Sequence, residues 1–148
     1  MMKIQLSIPR ILVSVSLMGL VVSAFPVTAI IFTNEVSNLT EPELYELTNG
    51  TGPIETSEPV YFLYDPECGS CAPAHEYLQE YLKQHPDVRV EMLSLTEGDE
   101  GKEKYDELKA AFHREKVYIP VMYIGPIGLE GSHDIETHFE DVYRWYTG

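Results

Sequence analysis

The chain has two cysteines, and both lie in one tetrapeptide, Cys68-Gly69-Ser70-Cys71. Before it runs Val60-Tyr61-Phe62-Leu63-Tyr64, a continuous apolar and aromatic stretch of the kind a central buried strand carries. After it, Ala74, Tyr77, Leu78, Tyr81 and Leu82 recur at the three-four spacing of a helix that starts near Ala72. A thiol pair at a strand-to-helix junction is an arrangement that makes and breaks disulfides, because one sulfur attacks and a second resolves the mixed disulfide. The bland alternative is a static staple. A loop of two intervening residues constrains the unfolded chain very little, so a staple there adds little stability.

The spacing assigns the two sulfurs different places. Cys71 lies three residues before Ala74 and falls on the inward face of the helix. Cys68 lies at the mouth of the helix, where the macrodipole stabilises a thiolate. Cys68 is therefore expected to attack and Cys71 to resolve. Glu67, next in sequence to Cys68, is expected to push its thiol up and make the dithiol a better reductant. His75 is seven residues from Cys68, ~10 Å at helical rise, and reads as a surface histidine.

At 148 residues the chain has room for one domain with a real core. It carries 24 acidic against 10 basic residues, a formal net charge of -14. That balance disfavours nucleic acid, whose phosphates need a basic face, and it disfavours docking on anionic head groups. A metal centre would need two ligands beyond the cysteines. The five histidines, His75, His85, His113, His133 and His138, do not pair at a zinc-binding spacing with a carboxylate base, so neither a metal nor a cofactor is expected.

Lys3 and Arg10 precede an apolar stretch from Ile11 to Phe32, and no charge falls between Arg10 and Glu35. A bilayer span needs ~20 apolar residues, so this one is long enough. Val22-Ser23-Ala24 and Val27-Thr28-Ala29 fit the small-x-small pattern of a cleavable signal. Residues 1–34 thus read as a signal peptide or an uncleaved membrane anchor built on one hydrophobic helix, with the membrane as a partner in the second case. Either way the charge asymmetry places the domain outside the cytoplasm, where disulfides persist. The sequons Asn38-Leu39-Thr40 and Asn49-Gly50-Thr51 are compatible with export.

Residues 35–53 read as a linker with a short helix, opened by a Thr40/Glu43 capping box and closed at Asn49-Gly50. Residues 54–148 read as the folded domain. Val88, Val90 and Met92 alternate with charged residues, a second strand running to Leu95. Tyr105, Leu108 and Phe112 mark a helix from about Glu100 to Glu115. Pro120 opens the strand Val121-Met122-Tyr123-Ile124. Gly125-Pro126-Ile127-Gly128 is a turn, Leu129 to Gly131 a fourth strand, and Ser132 caps a last helix with the stripe Ile135, Phe139, Val142, Tyr143 and Tyr146.

That order, with Cys68-Gly69-Ser70-Cys71 and an isolated Ile119-Pro120 at the head of a strand, resembles the thioredoxin superfamily over residues 54 to 148. The resemblance implies an α/β, three-layer sandwich with a four-stranded mixed sheet. It implies a cis Ile119–Pro120 bond beside the cysteines, and a substrate polypeptide pairing with the backbone at Ile119 and Pro120. It implies a thiol–disulfide oxidoreductase whose partners are substrate proteins with thiols or disulfides and one further redox partner. Cys68 and Cys71 would be both the catalytic pair and the disulfide they form, with reductase or isomerase as the favoured direction. Two departures stand out. Glu67 replaces the usual tryptophan before the first cysteine, and Phe62 stands where thioredoxins carry a buried aspartate. The alternative reading is a thioredoxin-like binding module without catalysis.

Overall fold

The structure is a computed structural model, and it describes residues 30–35, 38–53 and 59–148. In chain order the elements are β1 (Ile30–Thr33), β2 (Asn38–Leu39), α1 (Glu41–Thr48), β3 (Val60–Tyr64) and α2 (Ala72–Gln84). They continue as β4 (Val90–Ser94), α3 (Glu100–Ala111), β5 (Val121–Ile124), β6 (Ile127–Glu130) and α4 (Ser132–Thr147). The strands form one mixed sheet of six in the order β2-β1-β6-β5-β3-β4. β3 and β4 run parallel, while β5 is antiparallel to both β3 and β6.

The sheet is therefore larger than the four strands expected from sequence. β1 lies antiparallel on β6, with Ile31 opposite Leu129 and Phe32 opposite Gly128, and β2 extends the sheet beyond it. The physical reason is an exposed edge. β6 would otherwise present unpaired backbone groups, and β1 covers them. Ile31 and Phe32 point to opposite faces of the sheet, and both are wholly buried. Hydropathy alone cannot tell such a strand from the end of an apolar export segment. The Phe32 ring lies over Gly128, where an added Cβ would come within 2.2 Å of it. Asp134, near the start of α4, accepts the backbone N–H of Ile30 at 2.8 Å and holds the other end of the strand.

The N-terminal hydrophobic helix expected from sequence lies outside the described residues. Among the described residues no helix is long and apolar enough to cross a membrane.

The period-two alternation of the strands divides the core between the two faces of the sheet. Phe62, Met122, Ile124 and Leu129 pack with Ala74 and Leu78 of α2 and Ile135, Phe139 and Val142 of α4. Leu63, Val121 and Tyr123 pack on the other face with Phe32 and with Phe112 at the end of α3. There Phe112 meets Phe32 and Tyr123 edge-on, at centroid separations of 5.7 and 4.9 Å. Full burial of each such side chain is worth roughly 1.5–3 kcal/mol.

Most local expectations hold. The Glu43 carboxylate accepts from the Thr40 backbone N–H and hydroxyl, both at 2.8 Å, and opens α1. β5 starts directly after Pro120. Gly125 and Pro126 form a two-residue hairpin turn, Gly125 taking a φ of 53°. The third helix ends earlier than expected, at Ala111, because the chain leaves it through Phe112 and a His113 with φ of 53°. β6 begins at Ile127, so the turn is shorter and the strand earlier than read from sequence.

Candidate functional site

The site grows out of the end of β3. Asp65 organises the turn that follows, its Oδ1 accepting the Glu67 N–H at 2.8 Å and its carbonyl accepting the Cys68 N–H at 3.1 Å. The Cys71 N–H then donates to the Cys68 carbonyl at 2.9 Å, closing the tetrapeptide into a turn. Cys71 is the N-cap of α2, and Pro73 fits in the first turn because the amide it lacks has no helical partner there. The turn thus sets both thiols at the positive end of a 13-residue helix.

Their surroundings differ sharply. Cys68 is half-buried, and Cys71 is only 1% exposed. Both are free thiols in this structure. Partial burial pushes the Cys68 thiol up, but the Cys71 thiol, the Ser70 hydroxyl and the backbone at Cys71 and Ser70 outweigh it, and the net direction is down. The Ser70 Oγ lies 3.0 Å from Cys68 Sγ. Burial pushes the Cys71 thiol up to about 11; the Asp65 backbone works against this, and the Cys68 sulfur adds to it. The upward push on Cys68 expected from Glu67 does not govern this thiol. Glu67 is exposed, where water screens its charge.

The other two expected site residues connect to the turn through Gly131 and Ser132. The Ile119–Pro120 bond is cis, Pro120 is buried and Ile119 half-buried. The Pro120 carbonyl accepts the Gly131 N–H at 2.8 Å. Gly131, at a φ of 96°, turns the chain into α4, and the next residue, Ser132, reaches the cysteine loop. Its hydroxyl donates to the Ser70 carbonyl at 2.5 Å and lies 3.4 Å from the Ala74 N–H. A short run of bonds therefore joins the cis-proline segment to the cysteine turn. Ser132 was expected to cap α4; Gly131 is the N-cap, and the serine hydroxyl faces α2 instead.

A pocket of about 210 Å³ opens at the turn. Cys68 and Cys71 share it with Asp65, His75, Glu76 and Glu97. The sequence reads His75 as a surface histidine, seven residues from Cys68. Counted from Cys71 it is one turn away, and that spacing was the available signal. Glu97 comes from the loop after β4, and nothing local in the sequence points to it. A larger hollow of about 330 Å³, between α1 and the end of α4, is lined by Tyr45, Asn49, Arg144 and Trp145 and contains neither thiol nor imidazole. Among the described residues no cluster of three or more histidine, cysteine or acidic side chains could hold a metal ion.

No protein-family model matches the chain, and no curated protein matches it significantly.

Proposed function

We propose that the chain is an extracytoplasmic thiol–disulfide oxidoreductase of the thioredoxin superfamily, acting on protein disulfides through Cys68 and Cys71. The observation that carries this reading is the asymmetry of the pair. A half-buried thiol held below its ordinary range interacts with a buried thiol held up to about 11. A structural pair needs no such difference, whereas exchange chemistry needs a ready nucleophile and a resolving thiol that stays protonated until it is wanted.

The chemistry follows from that arrangement. The Cys68 thiolate attacks a substrate disulfide, forms a mixed disulfide and releases one substrate thiolate. Cys71 loses its proton, attacks Cys68 Sγ and releases the second substrate thiolate. The substrate gains two electrons and the cysteine pair loses them, and an external dithiol partner reduces the pair again. The bonds that hold Cys68 down favour the dithiol state, so the pair is more oxidising than Glu67 alone implies.

The strand–helix–strand–helix–hairpin–helix order from β3 to α4 supports a thioredoxin-like three-layer sandwich, with β1 and β2 as an addition on the β6 edge. In this reading Ile119 and Pro120 hold the substrate backbone, and the N-terminal apolar segment, as anchor or cleaved signal, delivers the domain across a membrane.

The test is reduction of insulin by dithiothreitol in the presence of the purified protein. The wild type should accelerate it, Cys68→Ser should abolish the acceleration, and Cys71→Ser should accumulate mixed disulfides. A wild type that accelerates nothing yet retains polypeptides would favour the non-catalytic binding module.

A further inference from the structure

We propose that His75 is the base that takes the proton from Cys71 as Cys71 resolves the mixed disulfide, a role that rests on the thiol–disulfide reading above. Cys71 is buried, and burial holds its thiol well above the ordinary range, so little thiolate forms unaided at pH 7. Resolution therefore needs a group that accepts this proton. On the sheet side of the helix Phe62 presents a buried ring and no base.

The pocket beside the sulfurs supplies the candidates. Four side chains lining it can accept a proton: Asp65 from the turn after β3, Glu97 from the loop after β4, and His75 and Glu76 from α2. Among these residue types imidazole is the base that suits neutral pH, while an ordinary carboxylate is weaker by roughly two powers of ten in proton affinity.

The helix also brings this residue to the cysteine end of α2, while Asp65 approaches the Cys71 thiol from the turn after β3. His75 follows Cys71 by four residues, which stacks their side chains on one face of α2, with Cβ atoms ~5–6 Å apart. The His75 N–H donates to the Cys71 carbonyl at 3.0 Å, so the helix is intact between them. The ring is braced, with its centroid 4.7 Å from that of Tyr64 and 6.4 Å from that of Phe62. Gln79 Nε2 lies 3.5 Å from His75 Nε2 on the next turn. The charged residues around the pocket are all acidic: Asp65, Glu76 and Glu97.

The step balances. An imidazole nitrogen of His75 takes the Cys71 proton, and the resulting thiolate attacks Cys68 Sγ. The Cys68–Cys71 bond forms as the Cys68–substrate bond breaks. The departing substrate thiolate then collects the proton from His75.

The experiment mixes the full-length reduced protein with oxidised glutathione and follows the mixed disulfide by acid quench and mass spectrometry. His75→Gln should form the mixed disulfide at the wild-type rate and resolve it roughly 100-fold more slowly at pH 7. The deficit should shrink as pH rises toward 10, because hydroxide then does the work of the base. His75→Ala should regain resolution on addition of free imidazole, with its fold checked by circular dichroism. Wild-type resolution in His75→Gln, a deficit equal at every pH, or a folded His75→Ala that imidazole does not rescue would each overturn the proposal. A wild type that forms no mixed disulfide would instead overturn the thiol–disulfide reading beneath it.

Discussion

The hydroxyl of Ser132 donates to the carbonyl of Ser70 at 2.5 Å and so fastens the first turn of α4 to the cysteine turn at the head of α2. The two residues are 62 apart in sequence. The bond locks the Ser70 peptide while leaving the Ser70 hydroxyl free to face Cys68 Sγ. Gly131, which bonds Pro120, immediately precedes Ser132, so three parts of the site share one anchor.

Ser132→Ala should therefore lower stability by about 1 kcal/mol, the usual net worth of a neutral hydrogen bond. Urea unfolding measures it. The same variant should speed amide exchange at Cys71, because the turn loses its tether to α4. Unchanged exchange there would show that the turn holds itself.

The Ser70 hydroxyl has its own consequence. It is one of the groups that keep the Cys68 thiol below its ordinary range, against the upward push of partial burial. Removing it in Ser70→Ala should move the pH profile of Cys68 alkylation upward and slow alkylation at pH 7. Sign matters here: a raised thiol leaves less thiolate at neutral pH, so the rate falls. Iodoacetamide kinetics read by mass spectrometry test this, and a profile that does not move would remove Ser70 from the account.

Phe32 tests whether the chain before α1 belongs to the domain. Its ring is wholly buried and lies edge-on to Phe112 and Tyr123. Phe32→Ala should cost about 3–5 kcal/mol, the range for a large core truncation. A loss below about 1 kcal/mol, within the range of surface changes, would mean that β1 is dispensable.

What the sequence made legible was local. The strand before Cys68, the stripe of α2, the Thr40/Glu43 box and the proline at the head of β5 each announce themselves within a few residues. The contributions that sequence hid are long-range. Ile31 and Phe32 read as the tail of an apolar segment because only the free edge of β6, about a hundred residues later, makes them a strand. Ser132 read as a helix cap because its partner, the Ser70 carbonyl, is distant in sequence. Glu67 is adjacent to Cys68 and reads as an upward push on its thiol, yet the net direction is down, set by hydrogen bonds from Cys71 and Ser70 against burial.

The most direct test of the central claim is a redox titration of the Cys68–Cys71 pair against glutathione buffers, read by alkylation and mass spectrometry. The pair should show one reversible two-electron transition between roughly -270 and -120 mV, the span of exchange-active dithiols. A pair that stays oxidised down to below about -300 mV, as structural disulfides do, or that never forms a disulfide at all, would contradict it.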